Sequence, residues 1–427
     1  MTAIEPARKE KWSVALRRIL TGLGPGIVTG AADDDPSGIA TYSIAGAQLG
    51  TALLWTAIFT WPMMSAVQSM CARIGMVTGE GLSGALGKKF PRWTLVVASL
   101  ALLAANAINV GADLAGMADA AEMLSGIKSH YFIVVFGVGI SCATIWLPYA
   151  RLAGVLKWLA LSLFAYVITA FVVGVDWSVV VRAALIPSVP PGHDGWATLV
   201  AILGTTISPY LFYWQASSEV EEQKAMGLER LSSRLGATAA EILERKIDVG
   251  MGTFFSNIVM FFVILTTAST LHRHGTTHIE TSRQAAEALA PLAGRFASTL
   301  YTLGIFGVGA LAIPTLTGSA AYALAETFGW RQGLGESLAH AHHFYGAILL
   351  SMTIGVALDF AHINPVRALF WTAVINGVLA PFLLIGILVV ASDEKLMQRQ
   401  PSSMLSRCVV GLTAIVMFGA ALAMVLF

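Results

Sequence analysis

Ala31-Ala32-Asp33-Asp34-Asp35-Pro36-Ser37-Gly38 sets three adjacent carboxylates and a helix breaker in the middle of an apolar stretch. No other feature of the chain restricts its fold as much. A charge at bilayer depth costs about 2.5–3.5 kcal/mol on insertion scales, so three together require water, a cation or a partner. Pro36 removes an amide donor and Gly38 loosens the backbone, so the chain is expected to leave the helix here and free carbonyl oxygens. Carbonyls beside carboxylates make a cation site. Inside a membrane segment, a cation site points to transport.

The membrane setting follows from composition. Of 427 residues, 56% are hydrophobic and 12% charged, and the mean hydropathy is +0.72, outside the range of soluble chains. A formal net charge of +1 gives no basis for a nucleic-acid partner. Cys71, Cys142 and Cys408 are far apart, lack metal-ligand spacing and read as helix-packing residues. The polar, basic start runs directly into the first apolar segment, so no cleavable signal is expected.

About eleven segments are long and apolar enough to cross roughly 30 Å of hydrocarbon as helices. They cover approximately 23–50, 51–77, 94–124, 131–149, 152–175, 196–218, 250–271, 297–328, 344–361, 366–391 and 407–427. The fold class is therefore an all-α polytopic membrane protein. With the N-terminus inside, twenty of the 26 Lys and Arg fall on the inner side, Arg73, Lys88, Lys89, Arg245, Lys246 and Arg407 among them. Lys128, Arg182, Arg273, Arg283, Arg295 and Arg367 stay outside. This bias is the positive-inside pattern for a cytoplasmic N-terminus and an outside C-terminus.

A second segment carries the same kind of interruption. Gly204-Thr205-Thr206-Ile207-Ser208-Pro209-Tyr210 brings hydroxyls and a proline near mid-membrane in span six. If spans one to five and six to ten are repeats, the two breaks occupy corresponding positions. Paired interrupted helices of this kind mark a midplane binding site in an inverted-repeat transporter. Ordinary proline kinks are the alternative.

At these residues the chain resembles the NRAMP family of divalent-metal transporters. Gly24-Pro25-Gly26, Asp35-Pro36-Ser37-Gly38 and Ala45-Gly46-Ala47 are similar to the family's first-helix pattern of Gly-Pro-Gly, Asp-Pro-Gly-Asn and Ala-Gly-Ala. Ser208-Pro209-Tyr210 stands where the family has Met-Pro-His, and Ala112-Asp113-Leu114-Ala115 resembles the start of its Thr-Asp-Leu-Ala-Glu. The resemblance implies the leucine-transporter-type fold, an inverted 5+5 repeat with broken helices 1 and 6. Residues 1–22 would be a cytosolic segment, 23–175 the first repeat, 176–391 the second, and 392–427 an inner loop with an eleventh helix.

The departures are informative. By position, Asp35 matches the metal-binding aspartate, whereas Gly38 replaces the metal-binding asparagine, Ser208 the methionine, Tyr210 the proton-linked histidine and Gly116 the third-helix glutamate. This set resembles the divergent NRAMP-related magnesium transporters of bacteria, which implies the bacterial inner membrane. Without a thioether the donors are hard oxygens: Asp35, with Asp33 or Asp34, the Ser208 hydroxyl, and carbonyls such as that of Thr205. Oxygen-only sites suit Mg²⁺, Mn²⁺ and Ca²⁺, and small Gly38 and Ser208 leave room for the waters that Mg²⁺ keeps. The expected cargo is Mg²⁺ or Mn²⁺, with no cofactor.

Asn106, Asn109 and Asp113 share one face of span three, directed either to the ion path or to interhelical hydrogen bonds. Asn376 and Gln215 are open to the same two readings. Glu219, Glu221 and Glu222 are either an acidic exit or a face paired with nearby bases. His272, His274, His278 and Glu280 read as a polar outer loop. Two rivals to a hard-oxygen Mg²⁺ or Mn²⁺ carrier remain: a proton-coupled transition-metal (Mn²⁺/Fe²⁺) carrier, and a cation-coupled organic-solute symporter on the same fold. The lack of a Gly-x-Gly-Asp setting or a nucleotide loop argues against an enzyme or an ATP-driven pump.

Overall fold

The structure is a computed structural model that describes residues 25–147, 161–359 and 364–427. Segment 1–22 and the first part of the fifth expected span lie outside the described residues. The described residues are helical and contain no strand. Seven helical stretches among them are long and apolar enough to cross a membrane.

The helices that position the site are, in chain order, α1 (Pro25–Asp33), α2 (Pro36–Leu49), α3 (Trp55–Thr78), α4 (Arg92–Ser125), α5 (Ser129–Trp146), α6 (Phe164–Val172), α7 (His193–Thr206), α8 (Pro209–Ala225), α9 (Ala239–Thr270), α10 (Ala297–Phe328), α11 (His342–Asp359), α12 (Pro365–Ser392) and α13 (Met404–Leu426). Spans one and six are each split in two, as expected. The first break has a local cause: Asp35 caps α2 by accepting the Gly38 N–H, and Pro36 takes the first helical position, where its missing donor is harmless. Pro209 does the same for α8 behind Ser208.

The two broken helices lie side by side and run in opposite directions. The end of α1 meets the start of α8, where the Tyr210 hydroxyl donates to the Ala32 carbonyl at 3.0 Å. The end of α7 meets the start of α2, where Thr205 faces Gly38. Small residues make the close approaches that hold these helices in place, as expected where lipid supplies no hydrophobic drive between helices. A Cβ on Gly30 of α1 would lie 2.4 Å from the Gly252 backbone of α9. On Gly204 of α7 it would lie 2.0 Å from the Ala373 carbonyl oxygen of α12.

Polar and apolar residues are distributed as in a molecule surrounded by lipid. Trp146, Phe171, Leu405 and Ile415 are exposed, while Asp33, Asp35, Asn109 and Asp113 are buried in the bundle. Of the three cysteines, only Cys71 is buried; Cys142 is half-buried and Cys408 is exposed, so the packing role expected for all three holds for Cys71.

Candidate functional site

Two helix C-termini and two helix N-termini converge where α1/α2 and α7/α8 break. The C-termini present carbonyl oxygens and the N-termini present amides, so the backbone alone supplies donors of both signs. Around this point Asp33, Asp34, Asp35, Thr205 and Ser208 are 0–6% exposed.

Asp35 is the best-anchored of the three carboxylates. Its Oδ1 accepts the Gly38 N–H at 2.7 Å, and its Oδ2 accepts from the Tyr210 hydroxyl at 3.3 Å and from Asn109 Nδ2 at 3.4 Å. Tyr210 has one proton and directs it between the Ala32 carbonyl and Asp35, so neither acceptor is saturated. Gly38 lets three oxygens crowd in where a side chain would otherwise stand. A Cβ there would lie 3.2 Å from Thr205 Oγ1, 3.3 Å from the Asp33 carbonyl oxygen and 3.5 Å from Asp35 Oδ1.

Asp33 and Asp34 are turned the other way, towards α9. The Ser256 hydroxyl donates to Asp33 Oδ2 at 2.6 Å and lies 3.1 Å from Asp34 Oδ1. One hydroxyl proton cannot serve both carboxylates fully, and Asp33 Oδ1 is buried with no hydrogen bond. Ser256 was not singled out in the sequence. Its signal there is weak, a polar Ser256-Asn257 pair inside an apolar span. Among the described residues no three His, Cys, Asp or Glu side chains form a metal-ligand group.

Ser208 directs its proton at the Gly204 and Thr205 carbonyls, each at 2.7 Å, and keeps its lone pairs free. The Thr205 carbonyl is thus engaged, and it is the Thr205 hydroxyl that faces Gly38. Asp113 lies on α4 with both oxygens buried, facing the Ser37 amide and within electrostatic reach of Asp35. Asn106 is not at the break; its Nδ2 donates to the Leu316 carbonyl and to Ser319 on α10. Asn376 is buried on α12 beside the close α7 crossing. Gln215 donates to Glu219 at 2.7 Å, on the way out of the site rather than in it. Gly116 faces Leu369 and Pro36, an apolar contact.

Contacts between helices bracket the break on both sides. Towards one end, the Ser37 hydroxyl donates to the Leu369 carbonyl at 3.0 Å beneath a plug of Ala40, Ala112 and Leu369. Beyond it a cavity of about 170 Å³ opens between α2, α7 and α12, lined in part by His193, Asp194, His278 and Glu280. At the other end, Arg245 of α9 pairs with Glu219 at 2.8 Å, with Asp248 at 2.7 Å and with Glu222. Asp248 also accepts the Gly26 N–H of α1 at 2.8 Å. Glu219 and Glu222 are thus paired with a base, as is Glu221 with Lys224 at 2.8 Å.

The sequence pattern of the family described as natural resistance-associated macrophage protein-like (Nramp) matches residues 26–427. The chain belongs to the Nramp family. It is 25% identical over 401 residues to the divalent metal cation transporter MntH of Caldanaerobacter subterraneus, covering 92% of this chain and 90% of that protein. MntH of Yersinia pestis is 27% identical over 329 residues, 74% of each chain. The fold matches a solved manganese transporter of Eremococcus coleocola with a TM-score of 0.73 at 14% identity, covering 100% of this chain and 95% of that one. The nucleobase-cation symporter Mhp1 in a closed conformation matches with a TM-score of 0.58 at 12% identity, covering 94% and 91%. The chain is an integral membrane transporter of divalent metal cations with a leucine-transporter-type fold, not an enzyme, and the metal is its cargo.

Proposed function

We propose that this Nramp-family chain carries Mg²⁺ or Mn²⁺, partly hydrated, by alternating access around a hard-oxygen site at the two breaks. Asp35 supplies the anionic ligand, the Thr205 hydroxyl and the Ser208 lone pairs supply neutral oxygens, and Asp33 and Asp34 contribute local negative charge. The observation that carries this reading is the cluster of oxygens at Gly38, where Thr205 Oγ1, the Asp33 carbonyl and Asp35 Oδ1 come together. Such donors suit a hard cation, and a site with few fixed ligands suits one that keeps its own waters. Tyr210 and Asn109 orient Asp35, and Asp113 adds charge along α4.

Transport requires the contacts on the two sides to open in turn. Release of Ser37 from Leu369 frees the outer side, and release of α1 and α8 from Arg245 frees the inner side. The positive-inside pattern supports an inner N-terminus, eleven crossings and repeats at 23–175 and 176–391.

A second reading, a proton-coupled transition-metal carrier, is favoured by the Eremococcus relative, a manganese transporter. Flux into proteoliposomes separates the two, with Mn²⁺ and Ca²⁺ as competitors and a pH dye inside. Saturable Mg²⁺ uptake without acidification is the expected result. Uptake of Mn²⁺ alone, with acidification, overturns the hard-oxygen reading in favour of the second.

A further inference from the structure

Three helices meet at the Arg245 end of the bundle around a cavity whose polar lining is basic and rich in hydroxyls. It measures about 80 Å³, and its polar lining includes Ser69 and Arg73 of α3, Arg245 and Lys246 of α9, and Ser402 and Ser403 at the start of α13, beside apolar Met70, Met76 and Ile242. One water needs about 10–15 Å³ on this measure, so a tetrahedral oxyanion fits.

Three independent features give the cavity its chemistry. Ser402 is 2% exposed, yet its Oγ has no hydrogen-bond partner, and neither does that of Ser69. A buried hydroxyl left without a partner costs free energy that a bound acceptor recovers. Ser403 caps α13 by accepting the Ser406 N–H at 3.3 Å, and both line the cavity, so the N-terminus of a 23-residue helix begins at its wall. Arg245 is already engaged by three carboxylates. The free positive charge comes from Lys246, which pairs with no carboxylate among the described residues, and from Arg73, whose Nε donates to the Gln400 carbonyl at 3.0 Å.

This combination recognises a phosphate oxyanion. Met404 and Leu405, 69% and 76% exposed, continue the site into the apolar surface, where acyl chains would lie. We propose that the cavity binds the phosphate of an anionic phospholipid headgroup from the leaflet on that side, the cytoplasmic one by the positive-inside pattern.

The test is the thermal midpoint of the full-length, delipidated protein in neutral detergent, titrated with phosphatidylglycerol, phosphatidylcholine or inorganic phosphate. Phosphatidylglycerol is expected to raise the midpoint saturably and the other two are not. Lys246→Gln should raise the half-saturating phosphatidylglycerol concentration about five-fold, and Ser402→Ala should raise it further. Lys246 is exposed, so its variant remains informative if Ser402→Ala proves unstable. Equal responses to both lipids, or an unchanged response in Lys246→Gln, overturn the proposal. An equal response to inorganic phosphate replaces the lipid with a soluble oxyanion and overturns it as well.

Discussion

Asp35 is fixed by an amide of its own helix, a phenol from α8 and an amide side chain from α4, so three separate elements converge on one carboxylate. Asp35→Ala should abolish metal uptake while the protein still folds; retained wild-type flux in proteoliposomes would eliminate the proposed site. Gly38→Ala is a finer probe. Its methyl would press on Thr205 Oγ1 and the Asp33 carbonyl at 3.2–3.3 Å and push these oxygens aside by a few tenths of an ångström. Uptake KM should rise about ten-fold, the scale expected when ligands are displaced by a fraction of an ångström. Ser208→Met replaces a hydroxyl with a thioether and should shift competition towards Mn²⁺ or Cd²⁺. An unchanged selectivity series would show that residue 208 does not contact the ion.

The elements around the site are joined by charges as much as by apolar packing. Arg245 links α8 and α9, and through Asp248 reaches the first turn of α1. Arg245→Met would leave Glu219, 1% exposed, as a buried carboxylate without its cation. Removing one partner from a buried pair typically costs about 3–5 kcal/mol. The thermal midpoint should fall, and a cysteine placed at Ala32 should react faster with a reagent added from the Arg245 side. A more exposed clasp joins Lys89 to Asp393 after α12. The Lys89 hydrogen bond, aided by the Leu396 and Lys395 amides, pulls the Asp393 carboxyl down to about 2. A depressed folded value contributes stability above the ordinary carboxylate pKa of about 3.9 that is lost as pH falls towards the folded value. The midpoint deficit of Asp393→Asn should therefore be present at neutral pH and shrink between about pH 4 and pH 2.

For the molecule as a whole, the proposed site is made of buried groups that face each other only in the folded bundle. Metal should then stabilise the folded state, by about 2.7 kcal/mol at a hundred-fold excess over Kd. Adding Mg²⁺ to chelator-treated protein should raise the thermal midpoint, and Asp35→Ala should remove that response. A rise that persists in the variant would place the stabilising ion elsewhere.

The helical membrane class and the two breaks were legible in the linear sequence, because each rests on local physics. Hydrophobic runs, a proline at a helix start and a carboxylate at a cap act within a few residues. Assignments that depend on which helices face each other were not legible. Asp33, Asp34 and Asp35 are consecutive, yet their side chains divide between Ser256 on α9 and the Tyr210–Asn109 pair, because the end of the α1 helix points neighbouring residues in different directions. Asn106 and Asn109 share a helix face, but only Asn109 reaches the break, since α10 covers the turn below it. The sequence by itself determined that a charged break had to exist in a membrane helix. Tertiary packing decided which oxygens surround it, because glycine contacts at Gly30 and Gly204 set how closely the helices approach.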